Sequence, residues 1–129
     1  ITNDPTELGI IAETAIYKHV KAFNYNTLAD VGYFRGGDDN KEIDIVIKYH
    51  ASQPPIMIEV KYREDSHITE KDLIVKMANG IYPNLVITKK IDDYGLYNQF
   101  SKGKSIYKIP APIFVYLLGY VENYKNKNV

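Results

Sequence analysis

Cysteine is absent from the 129 residues. Its absence excludes a disulfide framework, a thiol nucleophile and a zinc knuckle, and it agrees with a reducing, cytoplasmic setting. An excess of charge of either sign is also absent, since 16 basic side chains balance 16 acidic ones. That excludes a domain that holds nucleic acid through its whole-molecule field, so any such contact must come from local charge. Long apolar runs are missing as well. The longest, residues 113–121, has nine residues, against the roughly 20 that a bilayer span needs, and no membrane partner is expected. No basic stretch leads into an apolar one at the N-terminus and no initiator methionine stands there. The chain therefore reads as a fragment of a longer protein, without a signal peptide.

What is present suits one ordinary domain. Hydrophobic residues make up 45% of the chain, enough to bury a core and too many for a disordered segment. No repeat, low-complexity block or linker divides it, so residues 1–129 are read as a single domain. Asp4-Pro5-Thr6-Glu7 opens a helix, with Asp4 as N-cap, Pro5 in the first turn and Glu7 as capping-box partner. Leu8, Ile11, Ala12, Ala15, Ile16 and Phe23 follow at helical spacing, and the helix is expected to end near Ala22.

Three strands are expected next, at residues 31–34, 41–48 and 56–62, separated by the turn clusters Gly36-Gly37-Asp38-Asp39-Asn40 and Ser52-Gln53-Pro54-Pro55. Their short connections predict antiparallel neighbours. Thr69 and Asp72 predict a second helix start, with Gly80 as its stop. Residues 84–88 read as a buried strand, parallel to the third because a helix intervenes. Residues 105–109 read as a further strand, and Pro110-Ala111-Pro112 starts a last helix to about Tyr120. The expected order is α-β-β-β-α-β-β-α, a mixed sheet flanked by helices.

Charge is uneven along the chain. Residues 1–60 carry five basic and nine acidic side chains, and residues 61–129 carry eleven and seven. Within this pattern the second and third strands hold the sharpest signal. Period two puts Asp44 on the face opposite Ile43 and Ile45, and it puts Glu59 and Lys61 together, opposite Ile58 and Val60. A hairpin joining the strands can set Asp44 beside Glu59. Two close carboxylates repel unless a cation lies between them, and hard oxygen donors suit Mg²⁺ or Mn²⁺. A neighbouring ammonium, Lys61, suits phosphoryl transfer. The same spacing equally suits a solvated salt-bridge ladder.

Glu42-Ile43-Asp44 and Ile58-Glu59-Val60-Lys61, with fourteen residues between Asp44 and Glu59, resemble the motif of the PD-(D/E)xK phosphodiesterase superfamily. Isoleucine stands where that motif often has proline, at a position that is not a ligand. Together with Gly9-Ile10-Ile11-Ala12-Glu13, Tyr33-Phe34-Arg35 and Ile109-Pro110-Ala111, these segments resemble the C-terminal domain of uncharacterised function in prokaryotic AAA-type ATPases. The resemblance implies a restriction-endonuclease-like α-β-β-β-α-β core. It also implies an Mg²⁺- or Mn²⁺-dependent nuclease acting on nucleic acid, DNA foremost, and an ATPase upstream. By position it makes Asp44 and Glu59 metal ligands, Glu13 a first-helix acid that completes the site, and Lys61 the lysine that assists the attacking water. Arg35 matches the arginine before the acidic strand. It is read either as a nucleic-acid contact or as a partner of Asp44 or Glu42. The alternative function is a non-catalytic module that binds DNA or a protein partner and regulates the ATPase.

Lys89 and Lys90, with Lys102, Lys104 and Lys108, are further candidates for phosphate contact. The twelve tyrosines offer faces for base stacking. Tyr116, Tyr120 and Tyr124 recur every four residues on the last helix, where amphipathic packing or half of a homodimer interface is expected. Gly103-Lys104-Ser105 lacks the P-loop glycine, Asn98 standing in its place, and His19, His50 and His67 have no metal-ligand spacing.

Overall fold

The computed structural model describes residues 4–35, 42–49 and 52–127. Asp4 caps the first helix, its side chain accepting from the Thr6 N–H at 2.9 Å. Pro5 needs no such partner, and helix α1 runs Pro5–Phe23. At its far end Asn24 closes the last turn, its Nδ2 donating to the Val20 carbonyl at 2.9 Å. The Tyr49 hydroxyl donates to Asn24 Oδ1 at 2.9 Å and ties the helix end to the sheet.

The strands are β1 (Asp30–Arg35), β2 (Glu42–Lys48), β3 (Ile56–Lys61), β4 (Asn84–Thr88), β5 (Gly95–Tyr97) and β6 (Ile106–Pro110). They form one sheet in the order β1-β2-β3-β4-β6-β5. β1, β2 and β3 are antiparallel neighbours, β4 lies parallel to both β3 and β6, and β5 closes the edge antiparallel to β6. A one-turn helix α2 (Leu73–Lys76) follows β3, and α3 (Ala111–Lys127) ends the described chain. This mixed α/β architecture is the expected one, with the parallel β3–β4 pair where a helix intervenes. The turn expected at Gly36-Gly37-Asp38-Asp39-Asn40 lies outside the described residues.

Each face of the sheet carries its own core. On the side of α1 and α3, Ile16 and Val20 meet Ile45, Ile47, Ile58, Ile87 and Phe114. On the side of α2, Ile74 and Val75 meet Ile43, Val46, Met57, Val86 and Ile106. Ile45, Ile58 and Ile87 are fully buried, and burial of each contributes about 1.5–3 kcal/mol. Val86 and Ile87 in β4 face opposite cores, as a strand covered on both sides requires.

Several expectations are corrected. Ile11 and Ala15 are exposed, and the inward stripe of α1 runs through Ile16 and Val20 instead. Helix α2 stops after one turn. The Asp72 side chain turns to the Thr69 N–H at 2.8 Å rather than capping the helix, and Gly80, with φ +77°, sits in the turn beyond. β5 was not foreseen. α3 continues past Tyr120 to Lys127, and it packs through Phe114, Val115 and Leu118. Tyr116, Tyr120 and Tyr124 are exposed. No helix among the described residues is long and apolar enough to cross a membrane.

Candidate functional site

The site begins with an irregularity in β2. Gly32 pairs with Val46 and Phe34 with Ile43, so Tyr33 alone faces two residues, Asp44 and Ile45. This is a β-bulge, and it breaks the period-two pattern. Ile43 and Ile45 therefore belong to opposite cores, which corrects the expectation that they share a face.

The β2–β3 pairing is regular from Ile47↔Ile56 to Ile45↔Ile58. One step further, Asp44 Oδ2 accepts the Val60 N–H at 2.7 Å. A side chain has replaced the next rung of the ladder, and the Asp44 carboxylate is wedged between the two strands. Glu59 lies across from it, and the two carboxyl groups share a hydrogen bond. Burial pushes the Glu59 carboxyl up to about 9 from its ordinary value of 4.5, and the hydrogen bond and charge of Asp44 push the same way, with Lys61 opposing. At neutral pH Glu59 therefore keeps its proton.

Lys61 lines the same cavity, of about 430 Å³, as Glu13, Asp44 and Glu59. Its ammonium stands 4.0 Å from Asp72 Oδ1. Asp72 is a residue the sequence presented only as a helix cap, and no local pattern distinguishes it from one. Glu13, in the third turn of α1, is held above its usual range by burial first, then by the charges of Asp44 and Glu42. It also lines a second cavity of about 360 Å³, with Asp44, Tyr33, Arg35 and Glu42. Arg35 Nε lies 3.6 Å from Glu42 Oε2, and its guanidinium is 4.9 Å from the centre of the Tyr33 ring.

The structure thus brings together Asp44, Glu59 and Lys61, with Glu13 on the opposite wall. Among the described residues no group of three or more acids and histidines is placed to hold a metal ion jointly, so Glu13 stands apart from the contacting pair. Two adjacent carboxyl groups fit Mg²⁺ or Mn²⁺, which is commonly held by one or two carboxylates and completed by water and phosphate oxygens. None of the further lysines expected to contact phosphate lines these two cavities, although Lys89 stands 5.9 Å from the ring of Tyr62 at the edge of the first. Lys89 pairs with Glu64 at 3.2 Å, and Lys90 lines a different cavity. Lys108 is buried, 3.6 Å from Asp93 Oδ1 and 3.0 Å from Ser66 Oγ, and it borders the same cavity as Lys90. Lys104 Nζ donates to the Lys76 carbonyl at 2.7 Å.

Fold and site together define a mixed α/β domain with a half-buried acid pair and a lysine at the end of its central antiparallel strands. Residues 8–114 match the family described as Domain of unknown function (DUF4143), and the chain belongs to that family. The family is one that sits at the C-terminus of AAA-type ATPases. A search of curated proteins finds no match to the chain.

Proposed function

We propose that this domain is an Mg²⁺-dependent phosphodiesterase acting on nucleic acid and appended to an ATPase. The observation that carries the reading is the contact between the Asp44 and Glu59 carboxyl groups, with Lys61 in the same cavity. A salt-bridge ladder on a solvated strand would instead leave both acids exposed and ionised. The α-β-β-β-α-β order of the first six elements supports it, being the connectivity of restriction-endonuclease-like domains.

Asp44 and Glu59 would hold the ion, which when bound lowers the pKa of water and neutralises phosphate charge. The chain's own residues do the rest. The Val60 N–H fixes one Asp44 oxygen, so the carboxylate is oriented in advance. Glu59 would hold the ion as the carboxylate, the cation taking the place of its proton. Lys61, tethered by Asp72, supplies positive charge to the phosphate oxygens as negative charge builds on them. The water oxygen bonds to phosphorus, the P–O ester bond breaks, and the departing oxygen takes up a proton to balance the one the water gives up, leaving a phosphomonoester and an alcohol.

The test is a cleavage assay of the full-length protein on single-stranded, duplex and branched DNA and on RNA, with Mg²⁺ and Mn²⁺. Cleavage that is lost in both Glu59→Ala and Lys61→Ala supports the reading, and cleavage that survives both contradicts it. One observation favours the non-catalytic alternative. Ile113, Tyr116, Leu117, Tyr120, Val121 and Tyr124 form an exposed apolar stripe along α3, which suits docking on a protein surface. An intact fold that cleaves no substrate while binding a partner would establish that reading instead.

A further inference from the structure

The two cavities beside Asp44 are parts of one groove. Both are lined by Glu13 and Asp44. Besides Glu13, the α1 residues that wall them are Pro5, Thr6, Gly9 and Ile10 in the first and Thr14 and Tyr17 in the second. These recur at three- and four-residue spacing, so they occupy one face of the helix. From Thr6 to Tyr17 that face is about 17 Å long at the usual rise of a helix. The acid pair lies between the two ends.

Each end of the groove offers the same two kinds of group. One has Tyr33 and Arg35, the other Tyr62 and Arg63. Tyr33 is 62% exposed, with the Arg35 guanidinium against its ring at 4.9 Å. Among the described residues Arg35 also makes an exposed ion pair with Glu42 at 3.6 Å and feels the charge of Glu13, and such an exposed pair is cheaply exchanged for a phosphate. Tyr62 has the Lys89 ammonium 5.9 Å from its ring centre.

We infer that the groove along α1 takes an unpaired single strand of nucleic acid, with a base stacked on Tyr33 and the backbone crossing Asp44 and Glu59. The inference rests on the phosphodiesterase reading of those acids. Base faces are free only when bases are unpaired, and a ring presented to solvent can stack on any of them. A duplex hides its faces and is held by rows of cations along two backbones. This chain has no net charge, and the groove carries Glu13, Glu42, Asp44 and Glu59 among its few cations. Asp44 and Glu59 are half-buried on its floor, within reach of a flexible strand.

The experiment uses the full chain with fluorescein-labelled 12-nucleotide DNA and RNA single strands and the 12-base-pair DNA duplex. Anisotropy is read in Ca²⁺, and a Mn²⁺ thermal shift is measured on every variant. A single strand is expected to bind at least about tenfold tighter than the duplex. Tyr33→Ala is expected to weaken it by about tenfold, on the usual strength of base–aromatic stacking, while Tyr33→Phe retains it. Both variants keep the Mn²⁺ shift. Whichever of DNA or RNA binds tighter identifies the source of the strand. A duplex bound as tightly as either single strand, a Tyr33→Ala variant with unchanged affinity, or no binding of any oligonucleotide overturns the inference. If the single strand binds through Tyr33 but Mn²⁺ gives no shift in the wild type, the groove stands and the phosphodiesterase reading falls.

Discussion

The Asp44 carboxylate takes the place of a backbone rung, accepting the Val60 N–H at 2.7 Å where β2 and β3 part. The bulge at Asp44 and Ile45 makes this contact geometrically available, and the contact in turn presses Asp44 against Glu59. One residue therefore has two duties, closing the end of a ladder and forming half of the acid pair.

Separating these duties gives the first prediction. Asp44→Ala leaves the Val60 N–H without its partner, and the fold should lose about 1–3 kcal/mol, the usual penalty for an unsatisfied buried donor. Asp44→Asn keeps an acceptor oxygen and should lose less. Only the wild type should be stabilised by Mn²⁺, by about 2.7 kcal/mol at 100 times the dissociation constant. Thermal melts with and without the ion check all three.

Glu59 makes stability depend on pH. Its folded value lies near 9, above the ordinary 4.5, so the native state holds a proton that the unfolded chain releases. The contribution is complete below pH about 4.5 and is lost as pH rises through about 9. In EDTA the wild type should lose stability across this window. Glu59→Gln, which keeps a neutral hydrogen-bonding side chain, should be flatter there and more stable above pH 7. Calorimetric melts of both proteins from pH 5 to pH 9 would show it, and parallel curves would refute it.

Lys61 and Asp72 should separate charge from tethering. Lys61→Ala removes the cation, and cleavage should fall by about 100-fold or more, in the range of a lost transition-state contact. Asp72→Asn keeps the lysine but loosens it, and the fall should be smaller. Single-turnover rates at saturating Mg²⁺ resolve the two. Equal losses would make Asp72 part of the chemistry itself.

Lys108 tests a buried ion pair far from this chemistry. Its ammonium meets Asp93 at 3.6 Å and Ser66 Oγ at 3.0 Å, beneath the Tyr97 ring. Lys108→Ala leaves Asp93 uncompensated, and the loss should be about 3–5 kcal/mol by urea unfolding. High salt should barely change that loss, because buried pairs are poorly screened.

Local patterns in the chain determined most of the elements. Asp4-Pro5 starts α1 because a capped N-terminus with proline in its first turn needs little else. The alternating isoleucines of β2 and β3 read as strands because β-branched residues with period two fit a half-buried sheet. The spacing of Asp44, Glu59 and Lys61 pointed to one cluster, because a hairpin register sets opposite residues side by side. What tertiary structure alone decided lacks a local cause. β5 is three mostly exposed residues that become a strand only because β6 offers an edge. Helix α2 is cut to one turn, with Asp72 turned toward Thr69 and Lys61. The bulge that sends Ile43 and Ile45 to opposite cores comes from the β1–β2 register, and Lys108 is buried where Asp93 balances its charge and Ser66 accepts its hydrogen bond, both distant in sequence. Periodicity along a chain reports which side chains want to be inside. Register and long-range charge pairing depend on what lies across from them, and that is known only once the strands have met.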